Sequence, residues 1–259
     1  MVKMPVLFVG HGSPMNIISD NTYTRSLTAL GETMVRPKAV LVVSAHWQTR
    51  KTFVSSAKTP PTIYDFYGFP PELYREKYPC PGAPEQAESV QKVAPGEIYA
   101  DPGRGIDHAG WAVLKFMYPD ADIPVMQMSL DVMKSPREHY ELGKKLAALR
   151  HEGILIIGSG NMVHNLSRVN FEHLYGETYP WAVEFDRVLT ELIEAGDHDS
   201  LIAYDRLPNT KLAIPTNEHY LPMLYTLALK EKTDTLEFIC TDMQNGSISM
   251  RSFMITEAK

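Results

Sequence analysis

The 259-residue sequence predicts a layered α/β fold, one domain over residues 1–259, with a central mixed but mostly parallel β-sheet flanked by helices. Three observations predict it. Short, almost wholly apolar runs recur at residues 6–9 (VLFV), 39–44 (AVLVVS), 124–129 (PVMQMS) and 153–158 (GILIIG). Runs of this kind suit strands covered on both faces. Stretches with helix signals lie between them, and alternating strands and helices build parallel sheets. The composition, 44% hydrophobic and 22% charged, supplies an ordinary globular core for such layers.

The elements follow in order. The first run ends in GHGSPM, where Gly10 and Gly12 let the chain turn sharply and approach something closely. The second run leads into SAHW. Residues 58–86 are rich in proline and aromatics, which reads as a long ordered loop or a boundary rather than a flexible linker. A helix is expected just after IDHAGW. Ser135-Pro136-Arg137-Glu138 carries an N-cap, a first-turn proline and the glutamate of a capping box, and opens a helix through HYELGKKLAALR. The fourth run passes into GSGNMVHNL. Further helices are expected over about 180–195 and from near Glu218 through YLPMLYTLAL. The tail segments LEFIC and SISMRSFMIT read as two more strands, antiparallel at an edge near residues 247–254.

The net charge of −6 and the lack of a basic run argue against a nucleic-acid partner. Cys80 and Cys240 are far apart and form no C-x-x-C, so no disulfide framework is expected and a reducing, cytoplasmic location is. No apolar segment approaches membrane-spanning length. The sequence carries no mark of oligomeric state.

Nine histidines are present, and five fall where loops present chemistry. His11 follows the first strand, His46 the second and His164 the fourth; His108 precedes a helix and His219 sits at the start of a late one. Strand C-termini in a parallel sheet share one edge, so residues far apart in sequence can converge there. Imidazoles brought together usually hold a metal ion. His139, His151, His173 and His198 sit among charges or at helix ends and read as solvated surface.

In this order, GHGSPM, SAHW, TPPTIYDFYGFP, DHAGW, MYPDADIPV, GSGNMVHNL and EHYLP resemble the DOPA 4,5-dioxygenase-like, YgiD-type branch of the class III extradiol ring-cleavage dioxygenases. The resemblance covers nearly the whole chain. It implies ring opening of a catechol such as L-DOPA by O2 beside its two hydroxyls, with one divalent ion per chain, Fe(II) for activity. Neutral imidazoles and open positions suit that ion. By resemblance, His11 and His46 are metal ligands, His164 is the acid/base and His108 hydrogen-bonds oxygen or a substrate hydroxyl. The third ligand comes from EHYLP, where His219 is favoured over Glu218. An octahedral ion offers about six positions; a chelating catecholate and O2 leave three, so four histidines cannot all bind during turnover. Zinc takes four nitrogens, and His164 could close such a shell in an isolated zinc form. Trp47, Tyr64, Phe66 and Tyr220 are candidate pocket walls for an aromatic ring, and Ser13 and Asn161 candidate orienting groups.

Other readings stay open at the level of the residues. A zinc hydrolase would use the same histidines to activate water. GSGNMVHN resembles an anion-cradling turn but lacks G-x-G-x-x-G and G-K-[ST]. A metal-storage protein is the non-enzymatic reading, against which neither cysteine adjoins a histidine motif.

Overall fold

The first apolar run forms β1 (Val6–Gly10), and the computed structural model, which describes residues 2–258, continues through β2 (Ala39–Thr49), β3 (Thr52–Ser55), β4 (Ile98–Asp101), β5 (Val125–Asp131), β6 (Ile154–Gly160), β7 (Asp234–Cys240), β8 (Met243–Gln244), β9 (Ile248–Ser249) and β10 (Ser252–Glu257). Eight strands make one sheet in the order β4-β3-β5-β2-β6-β1-β10-β7. Its centre, β5-β2-β6-β1, is parallel. Antiparallel pairing of β3 with β5, of β10 with β1 and of β7 with β10 makes the sheet mixed. The fold class expected from the apolar runs is the one observed.

The helices are α1 (Thr22–Thr33), α2 (Pro84–Val93), α3 (His108–Met117), α4 (Pro136–Lys145), α5 (Ala147–His151), α6 (Pro180–Ala195), α7 (His198–Ile202), α8 (Thr210–Ala213) and α9 (Leu221–Ala228). They cover both faces, which explains why the strands read as continuous apolar runs. Val6, Phe8, Leu41, Val43 and Ile156 pack on one side with Phe185 and Leu224; Leu7, Val9, Val40, Val42 and Ile157 pack on the other with Leu27 and Trp111. Successive strand residues thus alternate between two cores.

The capping box of α4 forms as read: Ser135 Oγ accepts from Glu138 N, and Glu138 Oε2 accepts from Ser135 N. Several expectations need correction. The helix expected through Arg150 is two segments, because at Leu146 the backbone N–H turns back to the carbonyls of Gly143 and Lys144. α9 begins at Leu221, so His219 lies in the turn before it rather than within it. The tail strand β10 is interior, between β1 and β7; the sheet's edges are β7 and β4. β3 and β4, only four residues each, gave no apolar signal. His139 is fully buried, its Nδ1 2.9 Å from Tyr225 Oη, because α4 packs that face on α9. His198 is half-buried against Tyr140 Oη. His151 and His173 are exposed, as expected.

The proline-rich loop between β3 and α2 is ordered by aromatic contacts. Tyr64 and Phe66 pack on Trp111 of α3, and Tyr74 packs on both. Cys80 and Cys240 are buried free thiols. No helix among the described residues is long and apolar enough to cross a membrane.

Candidate metal centre

The C-terminal ends of β1, β2 and β6 meet at one edge of the sheet, and the chain devices there explain how. His11 directly follows β1, and Gly12 takes φ +62°, a left-handed turn that glycine adopts without strain. His46 does not follow β2 but lies in it, where the pairing with β5 shifts register between Val43 and Gln48. Such a bulge re-aims a side chain. Its backbone N–H donates to Ser44 Oγ, which in turn donates to the buried Asp107 carboxylate. Asp107 immediately precedes α3 and also accepts from Arg104 and Gln127. At the end of β6, Asn161 N–H donates to the carbonyl of His219, drawing the turn before α9 against the strand. Gly160 permits this approach: a Cβ there would lie 2.1 Å from the His219 oxygen.

Three imidazole nitrogens converge as a result. Nε2 of His46 lies 3.1 Å from Nε2 of His11 and 3.2 Å from Nε2 of His219. On each ring the other nitrogen faces an oxygen. His11 Nδ1 is 3.0 Å from Ser159 Oγ, His46 Nδ1 is 2.9 Å from Asp65 Oδ2, and His219 Nδ1 is 2.9 Å from Glu218 Oε1. With the Nδ1–H of His11 and of His219 directed at its oxygen and His46 Nδ1 in ion-pair contact with Asp65, three Nε2 lone pairs face one another, an arrangement that a cation relieves. The spacing fits one ion: nitrogens bound at about 2.1 Å lie about 3.0 Å apart at a right angle and about 3.4 Å apart at the tetrahedral angle. The same three side chains form a group whose ligand atoms all lie within 4.8 Å of one another.

Electrostatics agree for two of the three rings. Burial, followed by the neighbouring imidazoles, pushes His11 and His219 well below the usual histidine range, which keeps them neutral and able to ligate. Burial opposes charge on His46 as well, but Asp65 more than offsets it and raises its pKa. Burial likewise opposes ionisation of Asp65, yet His108 and His46 hold its carboxyl far below the carboxylate range. Asp65 is thus a fixed anion shared by two histidines. Its Oδ1 accepts from both Nδ1 (2.8 Å) and the backbone N–H (3.1 Å) of His108, the first residue of α3.

His108 and His164 border the three. The His108 ring centroid is 4.1 Å from that of His46, and its pKa is lowered, chiefly by burial. His164 stacks parallel on His219 with centroids 3.6 Å apart and planes within 9°. It stands outside the group formed by His11, His46 and His219. Burial first, then His219, pushes its pKa well below the usual range.

All five histidines line a cavity of about 660 Å3, together with Asp65, Phe66, Phe69, Leu166 and Phe171 among others. Of the expected ring-contact residues, Phe66 lines it, with its ring edge-on to His108. Trp47, Tyr64 and Tyr220 are not among the lining residues. Trp47 is buried beneath the Arg104 guanidinium, Tyr64 donates to the Glu76 carbonyl, and Tyr220 is fully buried, donating to the Leu201 carbonyl. Both tyrosines satisfy their hydroxyls away from the site. Ser13 lines the cavity and its Oγ accepts from Met15 N–H. Asn161 accepts from Gly12 N–H and donates to the Ser249 carbonyl, so it fixes the His11 turn. Sequence reasoning missed Asp65 and Ser159. The first had only its place as the acid in the aromatic TIYDFYGFP loop as a signal; the second, inside an apolar strand, had none.

With this geometry in view, comparison with known proteins places the chain. It is 47% identical to the 4,5-DOPA dioxygenase extradiol of Escherichia coli (strain K12) over 258 residues, covering 98% of this chain and 95% of that one. It is 36% identical to the protein of that name from Beta vulgaris, covering 96% and 95%. A crystal structure of an uncharacterized Escherichia coli K12 protein superposes with a TM-score of 0.82 at 40% identity, covering 97% and 99%. Residues 6–248 match the family described as the catalytic LigB subunit of aromatic ring-opening dioxygenase, and the chain belongs to that family.

Proposed function

We propose that the protein opens the ring of a catechol by extradiol 4,5-cleavage with O2, with L-DOPA as a substrate and Fe(II) held by His11, His46 and His219. The observation that carries this reading is the convergence of three Nε2 atoms on the floor of a cavity of a size usual for small ligands. A redox-active divalent ion at such a site supplies the path by which electron density passes from a catecholate to dioxygen. Zinc fits the same nitrogens, and the isolated protein is expected to take it up too.

The chain's own residues do the rest. His164 is held neutral by burial, the form that accepts a catechol hydroxyl proton and later returns it as the ring opens. Its stacking on His219 fixes the plane of its ring beside the metal ligands. His108 directs Nδ1 at Asp65, which leaves Nε2 to accept a hydrogen bond from substrate. Phe66 offers an aromatic face to the ring. Ferrous iron and two free thiols suit a reducing compartment, and we place the protein in the cytoplasm on that basis.

Anaerobic loading with Fe(II), followed by L-DOPA and O2, tests the reading through oxygen uptake and the yellow absorbance of the ring-opened semialdehyde. Product with iron, none with zinc and little from His164→Ala is the expected result. Equal turnover by zinc-loaded protein on an ester, with no oxygen uptake from any catechol, would replace ring cleavage with hydrolysis.

A further inference from the structure

Beyond the histidines, the cavity is walled by Tyr67, Phe69, Leu166, Val169 and Phe171. Three of these are large apolar side chains left open to solvent: Tyr67 is 91% exposed, Phe171 71% and Leu166 60%. Exposed apolar groups gathered round one cavity mark a ligand surface. The surface is built rather than loose. The segment carrying Leu166, Val169 and Phe171 is pinned by Asn245, whose backbone N–H donates to the Leu174 carbonyl, whose carbonyl accepts from Asn170 N–H, and whose Nδ2 donates to the Asn170 carbonyl.

The charge of the walls is as telling as their shape. Among the described residues, no lysine or arginine lines the cavity, and its one lining carboxylate, Asp65, is taken by His46 and His108. Arg168 sits beside Val169 in the chain but is exposed and not a lining residue. A carboxylate drawn against these walls would lose water and meet no lysine or arginine among the described lining residues. An apolar substituent would gain about fourfold in affinity for each methylene buried.

We propose that this surface selects catechols by an uncharged, apolar 4-substituent, and that the amino-acid charges of a tail such as that of L-DOPA are left in solvent unrecognised. This inference rests on the catechol reading above. The enzyme would therefore serve a class of 4-alkyl and 4-aryl catechols, with L-DOPA as one accepted member.

The test compares catechol, 4-methylcatechol, 4-butylcatechol, L-DOPA and 3,4-dihydroxyphenylpropionate on the iron-loaded full chain. Both kcat/KM and the anaerobic dissociation constant are measured. The expected order rises with apolar length, with 4-butylcatechol ahead of L-DOPA by at least about tenfold. Phe171→Ala and Leu166→Ala lower the ratio of 4-butylcatechol to catechol in both measurements, and circular dichroism checks that these exposed substitutions leave the fold intact. L-DOPA ahead of 4-butylcatechol, with that lead removed by Arg168→Gln, would overturn the proposal and show that charge reads the tail. If no catechol is cleaved at all, the catechol reading fails instead, and the anaerobic affinities still decide which substituent the walls prefer.

Discussion

Glu218 Oε1 lies 2.9 Å from Nδ1 of His219, its neighbour in the chain, and on the opposite side of the ring His219 Nε2 lies 3.2 Å from Nε2 of His46. One residue of the pair faces the candidate ion; the other backs it. The two therefore differ in what their loss does. His219→Ala should leave the protein with little bound metal after dialysis. Glu218→Gln keeps a hydrogen-bond acceptor for Nδ1 and should weaken metal binding by about 10- to 100-fold. Metal content and a chelator-competition titration measure both. Equal loss from the two variants would make Glu218 a direct ligand.

Asp65 joins His46 to His108, and no other carboxylate contacts either ring nitrogen among the described residues. Asp65→Asn removes the anion while keeping the shape. His46 then loses the partner that raises its pKa, and His108 loses the acceptor that sets its tautomer. Metal affinity should fall by about 10- to 100-fold, and kcat should fall further than metal occupancy accounts for. Kinetics at saturating iron separate the two effects. Full kcat at saturating iron would reduce Asp65 to a metal-affinity residue.

The sequence made the sheet legible because its central strands are buried on both faces and so carry unbroken apolar runs. β3 and β4 were not legible, being only four residues each, and β4 is also partly exposed. His11 and His164 were legible because each follows an apolar run with a glycine turn, His46 because it comes at the close of the second apolar run, and His219 because EHYLP reads as the opening of a late helix and carries the resemblance. Trp47, Tyr64 and Tyr220 were drawn to the site by residue type alone, and type does not say where a phenol or indole finds its partner. Asp65 could not be read as a clamp, because the clamp exists only when a loop residue meets the end of β2 and the start of α3. His139 looked solvated among charged neighbours, yet its helix turns that one position inward.

Gly160 tests how the His219 turn is held. An alanine Cβ would stand 2.1 Å from the His219 carbonyl oxygen, the same oxygen that accepts from Asn161 N–H at 2.8 Å. Backbone cannot yield as a flexible side chain can, so the turn must move. Gly160→Ala should cost about 1–3 kcal/mol and lower metal affinity, because His219 moves with its own carbonyl. Gly103→Ala is the control: its Cβ would meet nothing closer than an Asp101 side-chain oxygen at 3.5 Å. Thermal melts with and without metal compare them. A Gly160→Ala protein that melts and binds metal like the Gly103 variant would remove close approach as the reason for glycine.

His139 gives the fold a measurable acid sensitivity. Its ring is fully buried, Nδ1 is committed to Tyr225 Oη, and among the described residues Nε2 makes no well-formed hydrogen bond. Burial pulls its pKa from 6.5 down to about 4. The folded state thus resists a proton that the unfolded chain accepts. The stabilisation is complete above pH 6.5 and is lost as pH falls toward 4, amounting to about 3 kcal/mol across that window. Other buried histidines share the direction, so the contribution must be isolated by difference. The stability of metal-free protein and of His139→Gln, measured by urea unfolding from pH 7.5 to 4, supplies it. The wild type should lose about 3 kcal/mol relative to the variant on going from pH 7.5 to 4, with nearly all of the change below pH 6.5. A difference that stays constant with pH would mean that His139 takes up its proton as readily in the folded protein as in the unfolded chain, with the charge met by a group such as Asp131.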